Sequence, residues 1–368
     1  MIRQTYAEID LGAIKHNIRL LKECARTQVM AVVKADGYGH GMKQVALAAY
    51  EENVRWFAVA TAGEALDLRS EIPDAGILIL SYPEEQYLEE LISNGISVTA
   101  YTMEQMAKIH EICSDLGLKA RIQLAIDTGM NRIGIKGDED LLRILDFMKK
   151  NGMDMEGVFT HFATADEGDK SFTVFQLEGF RHAVDVIKKN GFDPIVHASN
   201  SAATIEVIGA HFDMCRMGIS MYGYAPSDEV DIKGLDLKPA LKLKSYVTNK
   251  KVIEKGETVS YGRHHEAMER ETILTVPIGY ADGYHRSMSG KAMAEVHGIA
   301  IQNVGNICMD QTMFLIKEGE DSVRVGDEVV LIGDRFNAES LAQAAGTISY
   351  EILTSLSKRV PRVYVDKK

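Results

Sequence analysis

From Val29 to about Tyr222, short apolar runs alternate with amphipathic stretches of helical length. The runs are Val29–Lys34, Phe57–Thr61, Gly76–Leu80, Ile96–Tyr101, Arg121–Asp127, Met155–His161, Ile195–Ser199 and Met214–Tyr222. Strands separated by helix-length segments in this way predict a parallel, closed (β/α)8 TIM-type barrel rather than an open doubly wound sheet. The polar residues agree. Lys34, Asp127, His161, Asn200 and Arg216 fall at or near strand C-terminal ends, the face on which barrels build active sites. After Lys238-Pro239 the pattern changes to short β-rich segments with turns at Lys255-Gly256, Asp282-Gly283 and Gly326-Asp327. The chain therefore divides into an α/β barrel over 1–237 and a C-terminal mostly-β domain over 238–368, with one short helix around Ala338–Ala345. A strand-like Gln4–Ile9 and a helix Leu11–Cys24 precede the first barrel strand, and the pattern leaves open which domain they join.

Composition narrows the function classes. A length of 368 residues suits one barrel plus a smaller companion, and 46% hydrophobic with 26% charged residues is ordinary for a soluble globular protein. A net charge of −12 argues against nucleic acid as the main partner, yet leaves room for a small anionic cofactor that needs only local positive groups. The four cysteines, Cys24, Cys113, Cys215 and Cys308, are scattered, which favours reduced thiols over a metal site or a disulfide frame. The N-terminal residues lack a signal-peptide core and no apolar run approaches membrane-spanning length, so the expectation is a cytoplasmic chain with no membrane partner.

The chemistry begins at Ala31-Val-Val-Lys-Ala-Asp-Gly-Tyr-Gly-His-Gly41. A strand ends in a lysine, where burying an ammonium is costly unless the amine is needed. Desolvation lowers a lysine pKa, and a neutral amine attacks aldehydes to form a Schiff base. The glycine-rich turn then offers backbone N–H groups and the Tyr38 hydroxyl at a helix N-terminus, where a phosphate could rest. An aldehyde-reactive Lys34 beside a phosphate cradle describes a pyridoxal 5'-phosphate (PLP) site; a surface lysine on a loop is the plainer alternative.

This motif resembles the PLP-lysine signature of the alanine racemase family, and further segments in the family's order span nearly the whole chain. Met214-Cys-Arg-Met-Gly-Ile-Ser-Met-Tyr-Gly223 resembles the segment that sets an arginine, here Arg216, against the pyridine nitrogen. A guanidinium, with a pKa above about 12, does not give up its proton, so that nitrogen stays unprotonated and the cofactor is a weaker electron sink. Reprotonation at the α-carbon is then favoured over transamination. A structural Arg216 paired with an acid such as Asp213 is the competing reading. In His197-Ala-Ser-Asn-Ser201, the resemblance implies that Ser201, with Gly218 and Ile219, binds the phosphate and that His197 bonds the arginine, with Asn200 beside them. His161 resembles another active-site histidine that lies with the cofactor.

In the second domain, Val259-Ser-Tyr-Gly262 resembles the segment carrying the second catalytic base, Tyr261. Racemisation needs acid–base groups on both faces of a planar carbanion, because a single base tends to return the proton to the face it left. Lys34 covers one face, as base and as the amine of the PLP aldimine, and Tyr261 covers the other. A tyrosine pKa near about 10 requires neighbouring cationic groups, such as a histidine–arginine pair, to depress it. Asn306-Ile-Cys-Met-Asp310 and Pro277-Ile-Gly-Tyr-Ala-Asp-Gly283 resemble the segments that place Met309 on the substrate carboxylate and Tyr280 at the entrance. The family's Tyr261 and Met309 counterparts come from the other subunit, which implies a homodimer with shared active sites.

Asp127-Thr-Gly-Met-Asn-Arg-Ile-Gly134 supplies Arg132, whose planar fork of donors suits a carboxylate clamp. Many family members carry a carbamylated lysine two residues before this aspartate to hold the arginine, and this chain has Ala125 there. A bound chloride or a nearby acidic group is expected to take over. Tyr350, in Thr347-Ile-Ser-Tyr-Glu351, resembles the tyrosine that reaches the phosphate and narrows the side-chain pocket. Its bulk favours alanine over serine, modestly, since an apolar pocket rejects an added hydroxyl only by about 10²-fold. The expected activity is interconversion of L- and D-alanine for peptidoglycan, with no metal. Alternatives are a serine or broad-specificity racemase of the same fold and a non-catalytic PLP-binding protein. A barrel decarboxylase is disfavoured because such enzymes usually face the pyridine nitrogen with an acid.

Overall fold

A computed structural model describes residues 5–367; Gln4 of the expected opening strand and Lys368 lie outside the described residues. The chain divides into two compact units. One consists of Ile14–Gly37 and Met42–Lys238; the other joins the described residues up to Ala13, the tetrapeptide Tyr38–Gly41 and everything from Pro239 onward.

After β1 (Tyr6–Asp10), the first unit carries eight parallel strands: β2 (Gln28–Val32), β3 (Trp56–Val59), β4 (Gly76–Ile79), β5 (Ser97–Ala100), β6 (Arg121–Ala125), β7 (Gly157–Phe159), β8 (Ile195–His197) and β9 (Met214–Met217). They pair in sequence order, and β9 closes onto β2 with Arg216 opposite Met30, so the barrel is closed. The strands are buried almost throughout, as parallel strands covered on both faces must be. The connecting helices read as one-sided. Asp138–Lys150, for instance, buries Leu141, Ile144, Leu145 and Met148 at helical spacing, with acids in its first turn and lysines in its last. All eight expected strands are present. The last is shorter than expected: it stops at Met217, and Ile219–Tyr222 forms a 3-10 turn after Gly218.

The second unit contains β10 (Leu241–Tyr246), β11 (Asn249–Ile253), β12 (Thr258–Val259), β13 (His265–Glu266), β14 (Glu271–Val276), β15 (Met293–Val296), β16 (Ile299–Asn303), β17 (Thr312–Ile316), β18 (Glu328–Ile332) and β19 (Arg362–Val365). Nine strands form one sheet in the order β11-β14-β17-β16-β15-β18-β10-β1-β19, while β12 and β13 form a separate ribbon. Strand β10 shows why this half reads differently. Leu241, Leu243 and Ser245 turn inward while Lys242, Lys244 and Tyr246 are partly exposed, the period-two pattern of a sheet with one covered face. The opening strand belongs here, because β1 pairs antiparallel with β10 and parallel with β19. The helix at Ala338–Ala345 is present as expected, capped by Asn337; a second helix, Ser349–Thr354, was not anticipated and carries Tyr350. Among the described residues, no helix is long and apolar enough to cross a membrane, and no cluster of metal-ligating side chains forms.

Candidate active site

Lys34 follows β2 by two residues, and the backbone then enters an unusual left-handed turn. Ala35, Asp36, Gly37 and Tyr38 have φ of +52°, +53°, +60° and +52°. For residues with a Cβ this costs roughly 1 kcal/mol each, so the surroundings must impose it. They do so with carboxylates. One oxygen of Glu64 accepts Ala35 N–H at 2.7 Å, and the Asp36 carboxylate accepts Met42 N–H at 3.0 Å, opening helix Met42–Glu51. Burial, followed by the charge of Arg132, lowers the Lys34 pKa; Glu64 opposes the shift and Arg216 adds to it. A depressed amine is what aldehyde chemistry requires.

Arg216, on β9, is almost wholly buried. Its Nη1 donates to His197 Nδ1 at 2.9 Å and to His197 O at 3.2 Å. Its Nη2 donates to Thr160 O and Ala198 O, both at 2.8 Å, and to His161 Nδ1 at 3.1 Å. None of its hydrogen bonds among the described residues uses Nε, and none goes to a carboxylate. Asp213, the acid suggested as a structural partner, instead accepts Val196 N–H at 2.8 Å. Burial lowers the Arg216 pKa to about 10, so the guanidinium still carries its charge at neutral pH. Burial first, then Arg216, Arg132 and Lys34, pushes His161 down to about 3. Burial and Arg216 likewise push His197 well below its ordinary value. Both imidazoles are therefore neutral acceptors toward the arginine.

Near the C-terminal ends of β8 and β9, Ser201 Oγ accepts the N–H of Gly218 at 2.9 Å, bringing Ser201, Gly218 and Ile219 together. Asn200 caps the helix Ser201–Glu206, its Oδ1 accepting Ala203 N–H at 3.0 Å. Arg132 lies on the loop after β6. Asp127 and Ile135 pin the base of that loop, and the Asp127 carboxylate accepts Gly129 and Asn131 N–H, each at 3.0 Å. Arg132 is exposed, yet its charge acts on Lys34, His161 and Arg216. Among the described residues no carboxylate forms an ion pair with it, so the acidic neighbour expected to replace the missing lysine is not there. Ala125 at the end of β6 is buried, and Thr128 on the loop bonds Thr160 at 2.8 Å and Gln176 of the helix Ser171–Lys189 at 3.2 Å.

The second unit holds the remaining residues. Tyr280 N–H donates to Cys308 O at 3.0 Å and Ala281 N–H to Met309 O at 3.1 Å, which zips the Tyr280 and Met309 segments together. Asn306 Nδ2 donates to Tyr261 O at 2.7 Å, and Ser260 Oγ to Asn306 O at 2.6 Å. These bonds tie Tyr261 to the same group. Tyr261, Met309 and Tyr280 are 72%, 52% and 44% exposed, unusual for large apolar side chains. Tyr38 and Tyr350 form another pair, with ring centroids 6.2 Å apart, and burial pushes the Tyr38 hydroxyl up to about 12. Gln123 and Glu156, which continue the arginine's hydrogen-bonding chain, were missed, as were Glu64 and Gln176. A glutamine in the middle of the buried strand Arg-Ile-Gln-Leu-Ala125 was the available signal.

The barrel, with its depressed amine and carboxylate-free buried arginine near strand C-terminal ends, defines an α/β-barrel enzyme of amine chemistry carried in one chain with a β domain. Sequence comparison is consistent from end to end. The alanine racemase N-terminal domain matches residues 9–226 and the alanine racemase C-terminal domain residues 240–364. The alanine racemase of Clostridium perfringens (strain SM101 / Type A) is 41% identical over 370 residues, covering 99% of this chain and 96% of that protein. Among solved structures, the alanine racemase of Clostridium difficile 630 superposes with a TM-score of 0.95 at 40% identity, covering 100% of this chain and 97% of that one. That of Bacillus anthracis with bound L-Ala-P gives 0.94 at 35% identity, over 100% and 96% of the two chains. The chain belongs to the alanine racemase family.

Proposed function

We propose that this enzyme interconverts L- and D-alanine with PLP, supplying D-alanine for peptidoglycan, and that it works as a homodimer with shared active sites. The observation that carries the reading is the donor set of Arg216. With Nη1 and Nη2 committed to carbonyls and neutral imidazoles, Nε–H is left for a pyridine nitrogen, and no carboxylate is at hand to protonate that nitrogen. Lys34, with its lowered pKa, suits an aldehyde, and the Ser201 hydroxyl with the Ile219 N–H suits a phosphate, joined by the Gly218 N–H if a bound phosphate draws it from Ser201 Oγ. Tyr38 and Tyr350 would complete the phosphate site, with His161, His197 and Asn200 around the ring.

Bound PLP supplies the electron withdrawal that acidifies the amino acid's Cα–H. The chain supplies everything else. Lys34 Nζ takes or returns the proton on one face, and Tyr261 Oη of the partner subunit does so on the other. Arg132 grips the substrate carboxylate, with Met309 N–H of the partner subunit as a second donor, and Tyr280 lines the approach. Arg216 keeps its proton and holds the ring nitrogen unprotonated, which disfavours transamination. We take the barrel as lying within 1–237, less the opening strand and Tyr38–Gly41 that join the β unit, and the β domain, contributing to the partner's site, as 238–368 with those segments. The exposure of Tyr261 and Met309 in a single chain supports the shared site, because both side chains lack a covering partner within their own unit.

Chiral chromatography of the PLP-loaded protein incubated separately with L-alanine and L-serine tests the reading. D-Alanine forming much faster than D-serine is expected, and faster D-serine would reassign the substrate. No D-product from either would overturn the racemase reading.

A further inference from the structure

We propose that Gln123 and Glu156 are positioning residues for the reaction: together they hold His197 in its Nε2–H tautomer and so fix the Arg216 guanidinium. The proposal rests on the role given to Arg216 above. The residues form one chain through the barrel. Arg216 Nη1 lies 2.9 Å from His197 Nδ1, His197 Nε2 lies 2.8 Å from Gln123 Oε1, and Gln123 Nε2 lies 3.1 Å from Glu156 Oε2. Ser97 Oγ also donates to Glu156 Oε2, and Arg121 Nε lies 3.8 Å from Glu156 Oε1. Gln123, His197 and Ser97 are fully buried. Glu156 directly precedes β7, so the chain starts at the N-terminal end of the barrel, the end usually concerned with stability alone.

The two ends dictate every direction in between. A guanidinium only donates, so His197 Nδ1 must accept. A neutral imidazole then carries its proton on Nε2, and the atom facing Nε2 must be an acceptor. An isolated glutamine could present either its oxygen or its NH2. Glu156, a carboxylate that only accepts, requires the NH2 on its own side and leaves the oxygen for His197. Packing cannot make this choice. Phe159 stacks on the His197 ring at 5.2 Å and 17°, which fixes the ring's plane but not the position of its proton. Without the relay Arg216 alone opposes the Nδ1–H tautomer, which sets donor against donor in a site with no carboxylate to compensate.

The test uses full-length protein labelled with 15N-histidine, with and without PLP, with the His197 signals assigned through His197→Gln. Wild type is expected to show one Nε2–H tautomer at His197. Gln123→Met and Glu156→Ala should each give mixed tautomers, and kcat about tenfold lower with little change in KM, the scale of one lost buried hydrogen bond. Pyruvate released per enantiomer exchanged should rise, because a misplaced Arg216 lets more alanine transfer its amino group to PLP, giving pyruvate and pyridoxamine phosphate. Glu156→Gln, which can still offer an oxygen to Gln123 but no longer requires its NH2, should fall between wild type and Glu156→Ala. A mixed or Nδ1–H signal in the wild type would overturn the proposal, whether or not the variants fold. So would a single Nε2–H signal in both disruptive variants, or a Glu156→Gln as impaired as Glu156→Ala. A wild type with the expected tautomer but no racemase activity would sink the proposed function instead.

Discussion

Glu64 ties Ala35 to Ala60: its two carboxylate oxygens accept the backbone N–H groups of these residues at 2.7 and 2.9 Å. The left-handed turn that follows Lys34 is thereby fastened to the end of the neighbouring strand. Glu64→Gln can satisfy only one of the two donors and turns an NH2 toward the other. Urea denaturation should show a loss of about 1–3 kcal/mol. The same change removes a negative charge that raises the Lys34 pKa. The pH at which the PLP-free protein takes up PLP should therefore move downward, and an unchanged midpoint would deny Glu64 any electrostatic hold on the lysine.

His161 connects stability to pH. Its pKa falls to about 3 in the folded protein against an ordinary value near about 6.5. Between those limits the unfolded chain binds a proton that the folded protein refuses, so stability rises with pH and is lost as pH falls from about 6.5 toward 3. His197 is shifted in the same direction. In PLP-free protein His161→Gln should flatten the dependence by up to one proton, or about 1.4 kcal/mol per pH unit. Urea midpoints between pH 4 and 7, taken as roughly the accessible part of this window, measure it. An equally steep slope in the variant would mean that His161 is not the group refusing the proton.

Lys34→Ala removes an amine whose pKa is lowered by burial and by two arginines. The visible absorbance of lysine-bound PLP should vanish and racemisation with it. Spectra of variant and wild type after PLP loading and gel filtration decide the matter, since wild-type absorbance in the variant would move the attachment to another residue.

The parts of this protein legible in its sequence were those set by one residue's own environment. Runs such as Gly-Ile-Leu-Ile79 or Ser-Val-Thr-Ala100 have few options but a buried strand, and Lys34 at the end of such a run advertises its cost. Cooperative features were not legible. The eighth strand stops at Met217 because Gly218 turns back toward Ser201 Oγ, a contact made across the chain. Glu64 reads as an ordinary solvated residue in a helix's first turn, and its work on Ala35 depends on the closed barrel. The helix bearing Tyr350 escaped because Ser349–Thr354 is too short for periodicity to declare itself. A bound chloride or an acidic partner for Arg132 was inferred from a missing lysine, and among the described residues no carboxylate pairs with it, because one missing side chain does not say where a replacement would come from in the folded chain.

Tyr261 is 72% exposed, so Tyr261→Phe removes a hydroxyl without disturbing the packing of its own unit. Stability should stay within about 0.5 kcal/mol, while turnover falls by about 10²–10⁴-fold, the usual contribution of a positioned acid–base group. PLP absorbance should persist, which separates this variant from Lys34→Ala. Near-normal rates from both enantiomers would remove Tyr261 from the proton path.

Gly279 keeps the Tyr280 and Met309 segments in register. A Cβ built there would stand 2.2 Å from Cys308 O and 2.4 Å from Met309 O, both backbone atoms that cannot swing away. The φ of −157° is open to any residue, so the demand for glycine comes from this close approach alone. Gly279→Ala must push the two segments apart, lengthening Tyr280 N–H to Cys308 O and Ala281 N–H to Met309 O. Forcing a methyl group into a packed contact costs about 1–3 kcal/mol. The damage should be local, because Asp282 still accepts Gly279 N–H and pairs with Arg359 beneath the loop. The variant should therefore load PLP with wild-type absorbance but show a raised KM for alanine, as the Met309 N–H and the Tyr280 ring leave their places. Steady-state kinetics over a range of L-alanine concentrations read this directly. An unchanged KM with lowered stability would show that the zipped segments serve the fold of the β domain and not the substrate.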